Sequence, residues 1–252
     1  MRILLCNDDG IDALGINTLA LALQNEHQLT MVAPDWQRSA SSHGLTVAQP
    51  LRARRSPRSA VADAWSVDGL PADCVKLALE KLLPARPDLV VSGINHGANL
   101  GNDTIYSGTV AGALEGAMYG LPAIAVSLVD GTANMEFAAR FVRDYIKDLA
   151  ASELFPQLVL NINVPAIPPE QIKGYRYTKL GIRSYHHAFD ERIDPRGETY
   201  YWLHGQVSDL PMGGASDAEA IASGYISITP LLYDLTDYSL LRQLAPGSRD
   251  NP

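Results

Sequence analysis

The first 35 residues restrict the architecture of this chain more than any other stretch. Arg2–Cys6 is a short run, apolar after its first residue. Ala13–Gln24 carries Leu14, Ile16, Leu19, Leu21 and Leu23, a pattern for a helix packed on one side of a sheet. Leu29–Ala33 is a second apolar run, ended by Pro34 and Asp35. Strand, helix and strand in so short a span make a βαβ unit, and such a unit implies a parallel sheet with right-handed crossovers. The rhythm then continues. "PADCVKLALEKLL" is helical, with Pro71 suited to the first helical position and Val75, Leu79, Leu82 and Leu83 forming a stripe. "PDLVVSGIN" is a buried strand. "SGTVAGALEGAMYG" is a helix opening at Ser107 and stopping at Gly120. "PAIAVSL" is a strand, Phe137–Ala150 a helix, and "QLVLNINVP" a strand. The expected class is α/β, a Rossmann-like, mostly parallel sheet flanked by helices.

After Pro165 this rhythm is lost. "GYRYTKL", "ETYYWL" and "GYISITPL" are strand-like but separated by loops, and Arg183–Gly214 is loop-rich. We expect a core over 1–169 and a smaller β-rich C-terminal extension over 170–252. The extension is antiparallel to about residue 230, returns partly to the core, and has a short helix in its tail. Nearer the N-terminus, Leu45–Arg55 alternates like a hairpin arm. Its basic run "RARRSPR" reads as a solvated sheet edge whose charges block further pairing.

Composition bears on partners. A formal net charge of -8 over 252 residues argues against a binder of nucleic-acid polymers. It does not exclude small anions, because a local cation overrides the global field. No apolar stretch reaches the roughly 20 residues of a membrane span, and no signal-peptide pattern is present. Cys6 and Cys74 lack a C-x-x-C partner and read as small buried hydrophobes. The expectation is a soluble, cytoplasmic protein that associates with no membrane.

In open α/β sheets ligands bind beyond the carboxyl ends of the strands. Three polar stretches fall there: Asp8-Asp9 after the first strand, Ser39 after the second, and Asn95 after "DLVVS". All offer oxygen donors, which suit hard cations such as Mg²⁺ or Mn²⁺ better than zinc. Two carboxylates would neutralise a divalent ion, although "NDDG" alone also fits a polar turn with Gly10 at positive φ. Ser107-Gly108-Thr109 opens a helix whose free N–H groups and positive dipole end make an anion site with two hydroxyls beside it. Taken alone, Ser107 also fits a simple N-cap. G-x-G-x-x-G and Walker patterns are absent, as are a G-x-S-x-G elbow and zinc spacing around His186-His187. A hard-metal site and an anion-binding helix at one sheet edge suit hydrolysis of a phosphate ester.

The stretches "RILLCNDDG", "VAPDWQRSASSHGLT", "GLPADCV", "PDLVVSGINHGANLGNDTIYSGTVAGALEG", "LNINVP" and "GYISITPL" resemble, in order and over nearly the whole chain, the SurE family of metal-dependent nucleoside monophosphate phosphatases. The resemblance implies hydrolysis of 5'- and 3'-nucleotides, and in some members of short polyphosphate. It implies an extension that forms homodimers or homotetramers. It also implies one divalent metal ion per subunit, Mg²⁺ or Mn²⁺, on Asp8, Asp9, Ser39 and Asn95. Asn99 and Ser107-Gly108-Thr109 would line the phosphate side, with Gly44 in the adjoining loop. Asp8 and Asp9 would be the catalytic pair; Asp9, His43 and His96 are candidates for an acid or base. Cys6, His96 and Ser216-Asp217 depart from the usual pattern without removing a proposed ligand. Two other readings compete. A haloacid-dehalogenase-type phosphatase would use an aspartyl nucleophile, but it wants Asp-x-Asp, and here the acids are adjacent with Asp12 too far along. A non-catalytic nucleotide-binding module would use the same helix end without turnover.

Overall fold

The computed structural model describes residues 1–57, 59–186, 189–213 and 215–244. In chain order its elements are β1 (Arg2–Cys6), α1 (Leu14–Leu23), β2 (Gln28–Pro34), β3 (Ala53–Arg55), β4 (Ala64–Val67) and α2 (Pro71–Leu77). Next come β5 (Leu89–His96), α3 (Gly108–Met118), β6 (Ala123–Leu128), α4 (Met135–Ala150) and β7 (Val159–Val164). The remainder holds β8 (Tyr175–Tyr177), β9 (Arg183–His186), β10 (Phe189–Ile193), β11 (Thr199–Leu203), β12 (Gln206–Asp209), α5 (Asp217–Ala222), β13 (Ile226–Pro230) and α6 (Tyr238–Leu244). The last residues of the tail, 245–252, lie outside the described residues, as do Arg58 of the basic run and His187 of the histidine pair.

One nine-stranded sheet runs β3-β4-β2-β1-β5-β6-β7-β13-β8. Strands β4, β2, β1, β5, β6 and β7 are mutually parallel. From β1 the chain moves outward to β2 and β4, then returns to place β5 on the other side of β1. The strand order therefore reverses between β1 and β5, and the crevice past their carboxyl ends is where this fold binds ligands. Alternation along each strand feeds two cores. Ile3 and Leu5 face α1 and α4 with Ile16, Leu19, Val142 and Ile146. Leu4 and Cys6 face α2 and α3 with Cys74, Val75, Val110 and Ala113. Cys6 and Cys74 are buried free thiols.

The structure departs from the sequence reading in several places. The extension is not wholly antiparallel: β13 joins the central sheet antiparallel to β7, but β8 pairs parallel to β13 at the edge. The segment read as loop-rich forms two ribbons, β9 with β12 and β10 with β11. Strand β4 was not expected, since four residues with one aromatic give little periodicity. Of the expected hairpin arm only β3 forms, antiparallel to β4. It is the sheet edge, and Arg55 pairs with Asp63 and stacks on Trp65. The helix expected to Leu83 leaves α-geometry after Leu77 and continues as a π-helical turn over Ala78–Leu82.

One contact fixes the end of β5. Gly15, in the first turn of α1, lies so close to this strand that a Cβ would sit 1.8 Å from the Ile94 carbonyl oxygen. Gly15→Ala should therefore cost about 3 kcal/mol, because backbone must move in a packed core. Leu14→Ala, at an exposed position of the same helix, should stay within about 0.5 kcal/mol. Urea midpoints of the two variants check this; equal midpoints would contradict it.

Candidate active site

The turn after β1 is closed by its own first residue. The buried Asn7 donates Nδ2 to the Gly10 carbonyl at 2.9 Å and accepts the Gly10 N–H at 3.2 Å. This ties the backbone beneath the two aspartates. Asp8 is buried and accepts a hydrogen bond from the Thr109 hydroxyl. Asp9 is partly exposed. Its Oδ1 accepts from Gln37 Nε2 at 3.3 Å, and its Oδ2 accepts from the His96 backbone N–H at 3.0 Å. Gln37 Nε2 also reaches Ser39 Oγ at 2.9 Å. Asp9 thus touches the loop after β2 and the end of β5 together. Asn95 lies at that strand end, where its Nδ2 donates to the Gly97 carbonyl at 2.8 Å and leaves Oδ1 as its acceptor atom. Asp8, Asp9, Ser39 and Asn95 are brought to one crevice.

The other wall is the N-terminus of α3. Ser107 is its N-cap, accepting the Val110 N–H at 3.0 Å. A Cβ on Gly108 would lie 2.8 Å from both Asp8 Cβ and Ser41 Oγ. Only glycine lets the helix end approach the carboxylate this closely. The first turn of α3 and the dipole behind it face this crevice, with the Val110 N–H held by Ser107 and the Thr109 N–H turned toward Asp8; a helix end of this kind suits an anion. Asn99 is buried against the carboxyl-end residues of β6 and β7. Its Nδ2 donates to Ser127 Oγ at 2.8 Å, its N–H donates to Asn163 Oδ1, and its carbonyl accepts from Asn161 and Asn163.

Electrostatics set the two carboxylates apart. Burial pushes the Asp8 carboxyl up to about 6; the charge of Asp9 adds to the shift and the Thr109 hydroxyl opposes it. Beside Asp8, Ser41 Oγ is buried with no hydrogen-bond partner among the described residues. A like-charged pair, an unpartnered hydroxyl and an all-oxygen donor set fit a hard divalent cation. Among the described residues, no cluster of three or more His, Cys, Asp and Glu side chains could hold a metal. The set here needs a hydroxyl and an amide to complete it.

The histidines fall elsewhere. His43 Nε2 lies 2.8 Å from Glu115, which also accepts Lys76 Nζ at 2.9 Å. Burial alone would raise the Glu115 carboxyl; hydrogen bonds from His43 and Lys76 overcome this and hold it below its ordinary value. His43, next to Gly44, therefore anchors the 39–46 loop to α3. His96 is exposed and meets Asp9 through its backbone N–H. Sequence reasoning missed Gln37, which bridges Asp9 to Ser39, and Ser41. No motif signalled Gln37. The serine-rich loop "RSASSHG" did hold a cue for Ser41, but its pointing depends on positive φ at Ala40 and Ser42. Ser216 caps α5, and Asp217 accepts the Gly101 and Gly181 N–H groups instead of entering the crevice.

The fold and crevice define an α/β protein with oxygen donors and a helix end at its topological switch point. Comparison with known proteins gives that class a family. The model for "Survival protein SurE" matches residues 3–187. A protein of Heliobacterium modesticaldum named 5'-nucleotidase SurE is 49% identical, over 97% of this chain and 91% of its own. Its namesake from Thermosynechococcus vestitus is 50% identical, over 94% and 92%. The crystal structure of the SurE protein from Aquifex aeolicus superposes with a TM-score of 0.83 at 38% identity, covering 98% of this chain and 99% of that one. The chain belongs to the SurE family.

The Asp8 shift has a direct consequence for metal-free protein. Between the ordinary value of 3.8 and about 6 the folded state binds more protons than the unfolded state, so stability falls as pH rises through that window. In EDTA, Asp8→Asn should flatten the curve there and gain on the order of 3 kcal/mol over wild type at pH 7. Denaturant titrations across pH 4–7 check this; identical slopes for the two proteins would contradict it.

Proposed function

We propose that the chain is a divalent-metal-dependent phosphatase that hydrolyses nucleoside monophosphates to nucleoside and phosphate by attack of water. The observation that carries the reading is the junction of two chemistries: the Thr109 hydroxyl, on the anion-binding end of α3, is bonded to Asp8 of the carboxylate pair. The chain is a 5'-nucleotidase, as its relatives are named. Asp8, Asp9, Ser39 and Asn95 would hold one Mg²⁺ or Mn²⁺. When bound, that ion polarises a phosphoryl oxygen and lowers the pKa of a coordinated water.

The chain's own groups do the rest. The first-turn N–H groups of α3, with Ser107 and Thr109, orient the phosphoryl group and stabilise charge on its equatorial oxygens. Asn99 would line the phosphate side. Asp9, the more exposed carboxylate, orients the attacking water and takes its proton. These groups grip phosphate and not sugar, so the proposed range extends to 3'-monophosphates and short polyphosphate. The proposed location is the cytoplasm, a compartment that free, buried cysteines suit. No helix of the described residues is long and apolar enough to cross a membrane.

Phosphate release from AMP and GMP should stop with EDTA and return with Mn²⁺ or Mg²⁺, and Asp9→Asn should lower it by roughly a hundredfold or more. Full activity of Asp9→Asn with unchanged metal affinity would sink the assignment. We further propose that the extension mediates a homodimer or homotetramer. Phe189, Ile193, Tyr201, Trp202 and Leu203 of the β10–β11 ribbon are exposed, an apolar surface that marks an interaction site. Sedimentation should give a mass of two or four chains, reduced by Trp202→Glu. A monomeric wild type would contradict this.

A further inference from the structure

The segment that delivers Ser107 to the crevice is a six-residue 3₁₀ turn, Gly101–Tyr106. Such turns have poor hydrogen-bond geometry and are normally shorter. This one is held from outside, by residues of the extension. Asp217, fully buried, accepts the Gly101 N–H at 2.7 Å and the Gly181 N–H at 2.8 Å. The Arg183 N–H donates to Asn102 Oδ1 at 2.6 Å, and Asn102 Nδ2 donates back to the Arg183 carbonyl at 3.2 Å. The Arg183 guanidinium bridges Asp103 at 3.0 Å and Asp209 at 2.9 Å, with Arg183 and Asp103 side chains only 16% and 15% exposed. Tyr185 donates its hydroxyl to the same Asp103 carboxylate oxygen. There is no slack in this junction: a Cβ on Gly101 would lie 2.8 Å from the Gly181 carbonyl oxygen. The far side of the turn grips the metal-side loop, where Ser42 donates its N–H to Tyr106 and its hydroxyl to Ile105.

We propose that Arg183 is a positioning residue for the phosphate site. By bridging Asp103 on the turn to Asp209 on β12, it docks the β9–β12 ribbon and thereby sets where Ser107 and the N-terminus of α3 stand against Asp8. The inference rests on reading the α3 N-terminus as the phosphate site, and it adds that the extension is part of that site's support. Arg183 touches neither substrate nor metal. Its removal leaves Asp103 and Asp209 as two facing carboxylates without a counter-charge, so the latch is driven open by like-charge repulsion as well as by the lost bonds. The oxygen donors of Asp8 and Asp9 follow β1 and that of Asn95 stands on β5, strands the latch does not touch, and only Ser39 is linked to it, through the 39–46 loop.

The test uses the full chain with Mn²⁺. Arg183→Met, Arg183→Lys and Tyr185→Phe are compared with wild type for kcat and KM on AMP, and for affinity toward inorganic phosphate and toward Mn²⁺ by calorimetry. Arg183→Met should lower kcat/KM by about a hundredfold, the scale of a small misplacement transmitted from a distance. It should weaken phosphate binding about tenfold while leaving Mn²⁺ affinity within about twofold, since one lost charge-assisted contact shifts a coupled site by that scale. Arg183→Lys should recover part of the loss, because it restores the charge but not the two-pronged bridge. Tyr185→Phe, which keeps the ion pairs and the fold, should show a smaller loss of the same kind. Unchanged phosphate affinity in Arg183→Met, or equal losses of phosphate and Mn²⁺ affinity, overturns the proposal. If Arg183→Met does not fold, unchanged phosphate affinity in Tyr185→Phe overturns it. Failure of wild type itself to bind phosphate or release it from AMP would instead overturn the reading of the site.

Discussion

Two carboxylates on adjacent residues, one of them buried, govern how the rest of the molecule is arranged. Burial of Asp8 beside Asp9 is costly unless something offsets it, and the surrounding structure supplies the offset in parts. The Asn7 amide holds the turn shut, the Thr109 hydroxyl meets Asp8, and the Gln37 amide and His96 N–H meet Asp9. None of these donors carries a full positive charge. The pair remains electrostatically incomplete, which raises the Asp8 carboxyl and makes a divalent cation the natural complement. The helix end of α3 adds a positive pole beside the pair, and its Thr109 hydroxyl and N–H turn toward Asp8.

This arrangement follows from topology. The reversal of strand order between β1 and β5 opens the crevice, and small residues let helices close on it. Gly15 brings α1 against the end of β5, and Gly108 brings α3 against Asp8. The 39–46 loop is held from three sides, by Glu115 through His43, by Asp73 through Thr46, and by the 101–106 turn through Ser42. The site is thus a junction of several elements, each with its own tether, and the β-rich extension is one of them.

The parallel core was legible because each βαβ step leaves a strong, local hydrophobic period. Asp8-Asp9, Ser39 and Asn95 could be placed at strand ends by the same logic, and Ser107 at a helix start by its capping chemistry. What escaped was decided at long range. Strand β13 reads as a lone apolar run, and nothing local says it will pair with β7 rather than with a neighbour in the extension. Strand β4 is too short to show a period. Gln37 and Ser41 owe their roles to loop backbone geometry, including positive φ at Ala40 and Ser42 that their side chains do not announce. His43, a tempting base from its position in sequence, is claimed by Glu115, a partner 72 residues away.

The carboxylate pair after β1 is the proposed seat of a hard metal ion bound through oxygen. Titration of Mn²⁺ into metal-free protein, followed by pulsed electron paramagnetic resonance, tests it most directly. One bound Mn²⁺ per chain is expected, lost in Asp9→Asn, with no coupling to a histidine nitrogen. A directly bound imidazole, or Mn²⁺ binding undiminished in Asp9→Asn, would contradict it.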